Sequence, residues 1–103
     1  MTIGDAERTE DVLTLRLYVA GDAPNSCEAR ENLRVMLEAL PPEQYHLEEI
    51  DFLRDPLRAM DDGVLVTPTL VKLSPPPARK IIGTLREAVR VRAVLGLKRD
   101  VDE

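Results

Sequence analysis

Residues Leu13 to Leu33, LTLRLYVAGDAPNSCEARENL, decide the architecture of this chain. Leu13, Leu15, Leu17 and Val19 alternate with Thr14, Arg16 and Tyr18, so one face of the segment is apolar and a β-strand is predicted. Gly21-Asp22-Ala23-Pro24 breaks it. Asn25, followed three residues later by Glu28, has the spacing of a capping box that opens a helix. Ala29, Leu33, Met36, Leu37 and Leu40 then share one helical face, which Pro41-Pro42 terminates.

Downstream, Tyr45 to Phe52 reads as a second strand with a phase slip between Leu47 and Ile50, compatible with a bulge or with burial on both sides at one end. A helix separates it from the first strand, so a parallel crossover is expected. Asp55-Pro56 pairs an N-cap residue with proline at the first helical position, predicting a short helix over Leu57 to Asp62 that Gly63 stops. Thr69 to Leu73 and Arg79 to Gly83 are short strands joined by Ser74-Pro75-Pro76-Pro77, a connection too rich in proline to enter a ladder. With a closing helix from Leu85, the order is that of a single βαβαββα unit.

The last segment carries two periods. Val89, Val91, Ala93, Leu95 and Leu97 are apolar at alternate positions around Arg90 and Arg92, which is strand spacing. Leu85, Ala88, Val89 and Leu95 lie near one helical stripe, and Val91, Val94 and Leu95 near another. Local sequence leaves both structures open, and a conflict of this kind marks either a poor sequence or a two-state element.

Composition narrows the function classes. The 103 residues fit one domain, expected over residues 12–98, with a frayed acidic start over 1–11 and a short tail over 99–103. A net charge of -5 repels phosphate backbones and anionic lipid heads, and the aromatic residues are only Tyr18, Tyr45 and Phe52, so nucleic acid and membrane surfaces are not expected partners. Cys27 and His46 are single representatives of their types, too few for a disulfide or a metal shell, and no cofactor is expected. The first residues lack the basic start and apolar run of a signal peptide, so a cytoplasmic location is expected.

A strand running directly into A-P-N-S and a helix start resembles the layout with which thioredoxins and glutaredoxins present C-P-x-C, and Val66-Thr67-Pro68 resembles the dipeptide that faces such a site. Ala23 and Ser26 stand where the thiols would be. LRLYVAGDAPNS, VTPTLVKLSPPPARKIIG and VLGL further resemble the KaiB family of bacterial clock proteins, from about Leu13 to Leu97. The resemblance implies a thioredoxin-like α/β fold, and with it a second, ground-state βαββααβ fold in a homo-tetramer or dimer. It implies a non-enzymatic, metamorphic regulator of a KaiC-like hexameric ATPase. Fold-switch positions would be Thr67, Pro68, Pro75, Pro76, Pro77, Gly96 and Lys98, with Thr67–Pro68 expected to be cis in the thioredoxin-like state. Lys98 stands where relatives carry an acidic residue, a reversal that should bias toward that state. Glu28 and Glu48 replace residues that are basic in relatives, so a KaiA-type contact is not expected.

Lys72, Arg79 and Lys80 form a basic group in an acidic chain, at positions matching the ATPase-facing residues of the family. They read as a docking patch that steers an acidic rim, or as solvated strand-edge charges. Cys27 falls in the first helical turn, where a dipole can depress a thiol pKa, but lies one position beyond the second thiol site and has no resolving partner. His46 reads as an exposed strand residue, and Asp51, Asp61 and Asp62 have no spacing of a paired-carboxylate site. Two further functions stand beside the regulator: a permanently thioredoxin-like module competing for the same ATPase surface, as in related sensor kinases, and a thiol oxidoreductase.

Overall fold

The computed structural model describes residues 12–97; the expectations placed on 1–11, on Lys98 and on 99–103 lie outside the described residues. Strands β1 (Leu13–Val19), β2 (Tyr45–Asp51), β3 (Thr69–Ser74) and β4 (Arg79–Ile82) alternate with helices α1 (Pro24–Leu37), α2 (Pro56–Asp61) and α3 (Ala88–Leu95), and a 3-10 turn covers Pro42–Gln44. One sheet runs in the order β2-β1-β3-β4. β2 lies parallel to β1, while β3 and β4 add antiparallel. Helices cover both faces, so the strand alternation divides the core in two. Leu13, Leu15, Leu17 and Val19 of β1 meet Ala29, Leu33, Met36 and Leu37 of α1 and Val91 and Leu95 of α3. Tyr18, Ile50, Val64 and Val71 meet Ala59 of α2 on the other side.

Several local readings change. α1 starts at Pro24, with Ala23 in the N-cap position and no side-chain cap, so Asn25 is inside the helix and the expected capping box does not form. Proline at the first position, whose missing N–H needs no cap, sets the start instead. Glu28 is committed elsewhere, accepting from Arg86 at 2.9 and 3.0 Å. The phase slip in β2 involves no bulge: its register against β1 is continuous from Tyr45 to Asp51. Leu47 and Tyr45 face the α1 side while Ile50 and Phe52 face α2, which is burial on both sides.

The last segment is helical here, but it begins at Ala88 rather than at Leu85. Of its two stripes, Val91 and Leu95 are buried and Val89 is exposed. Leu85 packs into the first core from the preceding loop, at a positive φ of 64° that a branched side chain adopts only under tertiary constraint. The loop is tied to α1 by Asn32, which donates to the Thr84 carbonyl at 2.9 Å. Gly96 closes α3 in the left-handed conformation at φ 79°. Thr67–Pro68 is cis, as expected, and so are Ser74–Pro75 and Pro76–Pro77. Among the described residues, no helix is long and apolar enough to cross a membrane.

On the α2 face, a polar anchor fixes the short helix. Tyr18 is fully buried and its hydroxyl donates to Asp62 Oδ2 at 2.7 Å, standing 3.0 Å from the Arg58 carbonyl. Arg16 completes the carboxylate's shell at 3.0 and 3.2 Å, and Arg58 pairs with Glu48 at 2.6 and 2.8 Å. Burial, together with the adjacent Asp62 carboxylate, pushes the Tyr18 hydroxyl up to about 12. Burial pulls the Asp62 carboxyl upward, but hydrogen bonds from Tyr18 and Arg16 outweigh it and hold the group below its ordinary value. An unfolded tyrosine ionises near pH 10 and the folded one only near 12, so the unfolded state gains between those values. Urea denaturation should therefore find the wild type more stable than Tyr18→Phe by roughly 1–2 kcal/mol at pH 8, a gap that closes between pH 10 and 12. A gap that stays constant over that range contradicts the anchor.

Candidate functional site

The carboxyl ends of β1 and β2 and the start of β3 share one edge of the sheet, because Val19 pairs with Asp51 and Tyr18 with Thr69. Three loops therefore converge there: Ala20–Ala23 before α1, Phe52–Asp55 before α2, and Leu65–Pro68 before β3. The end of β4 joins them, its Ile82 opposite Thr69 and the Gly83 N–H donating to the Pro68 carbonyl at 2.9 Å. Ligand sites of α/β sheets lie at such strand ends.

At this end the first turn of α1 carries no thiol pair. Ser26 is buried, and its hydroxyl accepts from the Ala20 N–H at 3.0 Å, closing the turn that leads into the helix. Ala23 is exposed at the N-cap. Cys27 is also exposed; its Sγ lies 3.5 Å from the Asp22 carbonyl and 3.7 Å from Arg30 Nη1. Arg30 is itself engaged by Glu49 at 2.8 Å, so the thiol is a bystander to that ion pair. Around the turn, large apolar side chains face solvent: Leu53, Leu65, Val66 and Ile82, extended along α2 by Leu57 and Met60. Leu65, 86% exposed, is the most open of them, and several large apolar side chains gathered at one end are the kind of patch that marks an interaction site. This rim was not among the residues read from the sequence. Its one available signal was Leu57 and Met60, three apart around the buried Ala59.

The basic group does not sit together on one face. Lys72 and Arg79 are cross-strand partners of β3 and β4, and Lys80, one residue on, stands opposite Val71. Strand alternation puts Lys80 on the α2 face, its Nζ 3.5 Å from the Gly63 carbonyl and beside Asp61 and Asp62. Lys72 is buried on the α1 and α3 face, and Arg79 is exposed. Gly63 has φ 70°, and a Cβ there would meet Lys80 Nζ at 2.7 Å, so the approach of this lysine depends on glycine. Of the expected fold-switch residues, Pro68 is buried at the converging loops; Pro75 and Pro76 lie at the opposite end of β3, beside Gly96. Glu48 and Glu28 are each held by an arginine of the same chain, Glu48 by Arg58 and Glu28 by Arg86. Those hydrogen bonds hold both carboxyls below their usual range. His46 is exposed on β2.

A thioredoxin-like scaffold whose dithiol positions hold alanine and serine defines a class of protein that keeps the redox fold without its nucleophile. The chain belongs to the KaiB family: the KaiB domain model matches residues 16–97. It is 46% identical over 89 residues to the circadian clock oscillator protein KaiB of Gloeothece citriformis, covering 86% of this chain and 82% of that protein. The Nostoc punctiforme protein of the same name is 44% identical over 90 residues, covering 87% and 85%. Among solved structures, the N-terminal domain of Synechococcus elongatus SasA superposes with a TM-score of 0.67 at 23% identity, over 88% of this chain and 90% of that one. Oxidised mitochondrial thioredoxin 3 from Saccharomyces cerevisiae gives 0.68 at 16% identity, over 92% and 87%. At such identities these likenesses speak to the fold alone.

The reading of a vacated dithiol has a direct check. In an insulin-reduction assay the wild type should be inactive and Cys27→Ser should change nothing. Ala23→Cys combined with Ser26→Cys should form an internal disulfide and acquire measurable reductase activity, since the helix start and Pro24 are already in place. Wild-type activity abolished by Cys27→Ser would overturn the reading.

Proposed function

We propose that this chain is a non-enzymatic, fold-switching regulator that binds a KaiC-like hexameric ATPase in the cytoplasm and modulates its phosphorylation or ATPase cycle. The observation that carries this reading is the apolar rim around an empty thiol site: the end of the scaffold that a redox protein uses for chemistry here exposes large aliphatic side chains, which supports its use in docking. Family membership supports a clock role, since the relatives bear the name of a circadian oscillator protein. Of the basic group, Lys80 shares the α2 face of β4 with Ile82 while Arg79 stands on the other face; both are exposed and add an electrostatic component to docking. Such charges raise the encounter rate with an acidic partner more than they tighten the complex. Fold switching is supported by the doubled periodicity of Val89 to Leu97. Two packings of one chain coexist only when they lie within a few kcal/mol, and each 1.4 kcal/mol or so shifts their ratio tenfold.

One observation favours a second reading. In the structure described here the last segment is helical, the state suited to a permanently thioredoxin-like module that occupies the same ATPase surface without changing fold. Light-scattering mass measurement with backbone NMR secondary shifts for Val89 to Leu97 separates the two. A tetramer or dimer with extended shifts, converting on addition of the ATPase, supports the switch; a monomer with helical shifts throughout supports the permanent module.

Docking itself is tested by pull-down on a KaiC-like hexamer. The double variant Arg79→Glu with Lys80→Glu should weaken capture by about tenfold at low salt, with a smaller loss at high salt. Leu65→Ser with Val66→Ser should weaken it comparably at either salt concentration. Capture unchanged by both variants would dispose of this face as the docking site.

A further inference from the structure

At the end of the sheet remote from the apolar rim, a groove opens between the Pro75-Pro76 connection, the beginning of β1 and the C-terminal ends of α1 and α3. Its volume of about 580 Å³ is that of a small-molecule pocket. Leu13, Met36, Leu40, Leu95 and Leu97 give it aliphatic walls, and none of its lining residues is aromatic. Two cations reach it, Lys72 and Arg92. Lys72 is only 5% exposed, and its ammonium makes no hydrogen bond or ion pair with any described residue. Yet among the described residues no polar side-chain atom is both sealed from solvent and without a partner, so that ammonium opens into the groove.

A cation held without a partner in an apolar surround costs stability that a leucine at the same strand position would not. In a chain of net charge -5 its placement is a local exception. Ordinary packing does not call for it; an anionic head group seated beneath aliphatic walls does. The absence of aromatic surface disfavours a nucleotide base, and an unbranched alkyl chain fits walls made of leucine and a conformationally adaptable methionine.

We propose that this groove binds an acyl-chain carboxylate, with the alkyl chain against Leu13, Met36, Leu95 and Leu97 and the carboxylate on Lys72 and Arg92. The site lies apart from the apolar rim and Arg92 belongs to no part of the docking proposal; Lys72 was read with the docking patch, but the titration below contains no ATPase, so either can fail alone.

Methyl and amide NMR titration of the full chain with sodium octanoate and sodium decanoate, below their micelle concentrations, tests it. Saturable shifts are expected at Leu13, Met36, Leu95 and Leu97, with decanoate binding about tenfold tighter than octanoate for its two extra methylenes. Lys72→Met should weaken octanoate tenfold or more while leaving 1-octanol unchanged; should that variant not fold, Arg92→Gln should show the same preference to a smaller degree. The proposal is overturned by shifts that never saturate, by 1-octanol binding as tightly as octanoate, or by inorganic phosphate reproducing the shifts. It is equally overturned if the groove is already taken. A second copy would shift these signals with protein concentration alone, and the chain's own acidic end would shift them in Asp100→Asn/Asp102→Asn/Glu103→Gln without ligand.

Discussion

Burial of β1 on both faces is the constraint on which the rest of the structure depends. Its leucines at 13, 15 and 17 with Val19 form one wall of the larger core, while Tyr18, pointing the other way, is the floor of the smaller one. The strand is central, paired with β2 on one side and β3 on the other. A register slip of one residue would drive the leucines toward α2 and the arginine at 16 into the larger core. Tyr18 makes that slip doubly unfavourable, because its hydroxyl would leave the Asp62 carboxylate that it shares with Arg16. The smaller core is thus held by a polar contact as well as by apolar area, which suits a helix of six residues with only Ala59 fully buried.

What the sequence made legible follows from how local each signal is. β1, β3, β4 and α2 announced themselves through alternation or through proline and glycine at their ends, and the structure places them within a residue or two of the reading. The start of α1 was misread because two signals overlap there: Asn25 and Glu28 have capping spacing, but Pro24 occupies the first helical position and leaves Asn25 two residues past the N-cap. The final segment was undecidable locally. Val89 and Val91 are equivalent in an alternating pattern, and what separates them is the packing of Val91 against a core that includes Leu85 and Leu33, contacts 6 and 58 residues away in the chain.

The candidate site was legible by its vacancies and not by its surface. Ala23 and Ser26 could be recognised because their neighbours kept the pattern of a redox turn. Nothing in the residue type of Leu53, Leu65 or Ile82 says that it faces solvent, since exposure is settled by which loops the sheet brings together. The separation of Lys80 from Lys72 similarly required the β3–β4 register, which the proline-rich connection sets and no local pattern foretells.

β2 is a border strand: β1 occupies one side of it and no strand of the described sheet takes the other. Glu48 and Glu49 stand on this border, tied to Arg58 and Arg30. Ionised, they surround the open row of backbone amides and carbonyls with charge, the common guard against sheet-to-sheet polymerisation. Apolar side chains at those two places would leave the row bare, and a second molecule could then extend the sheet across it.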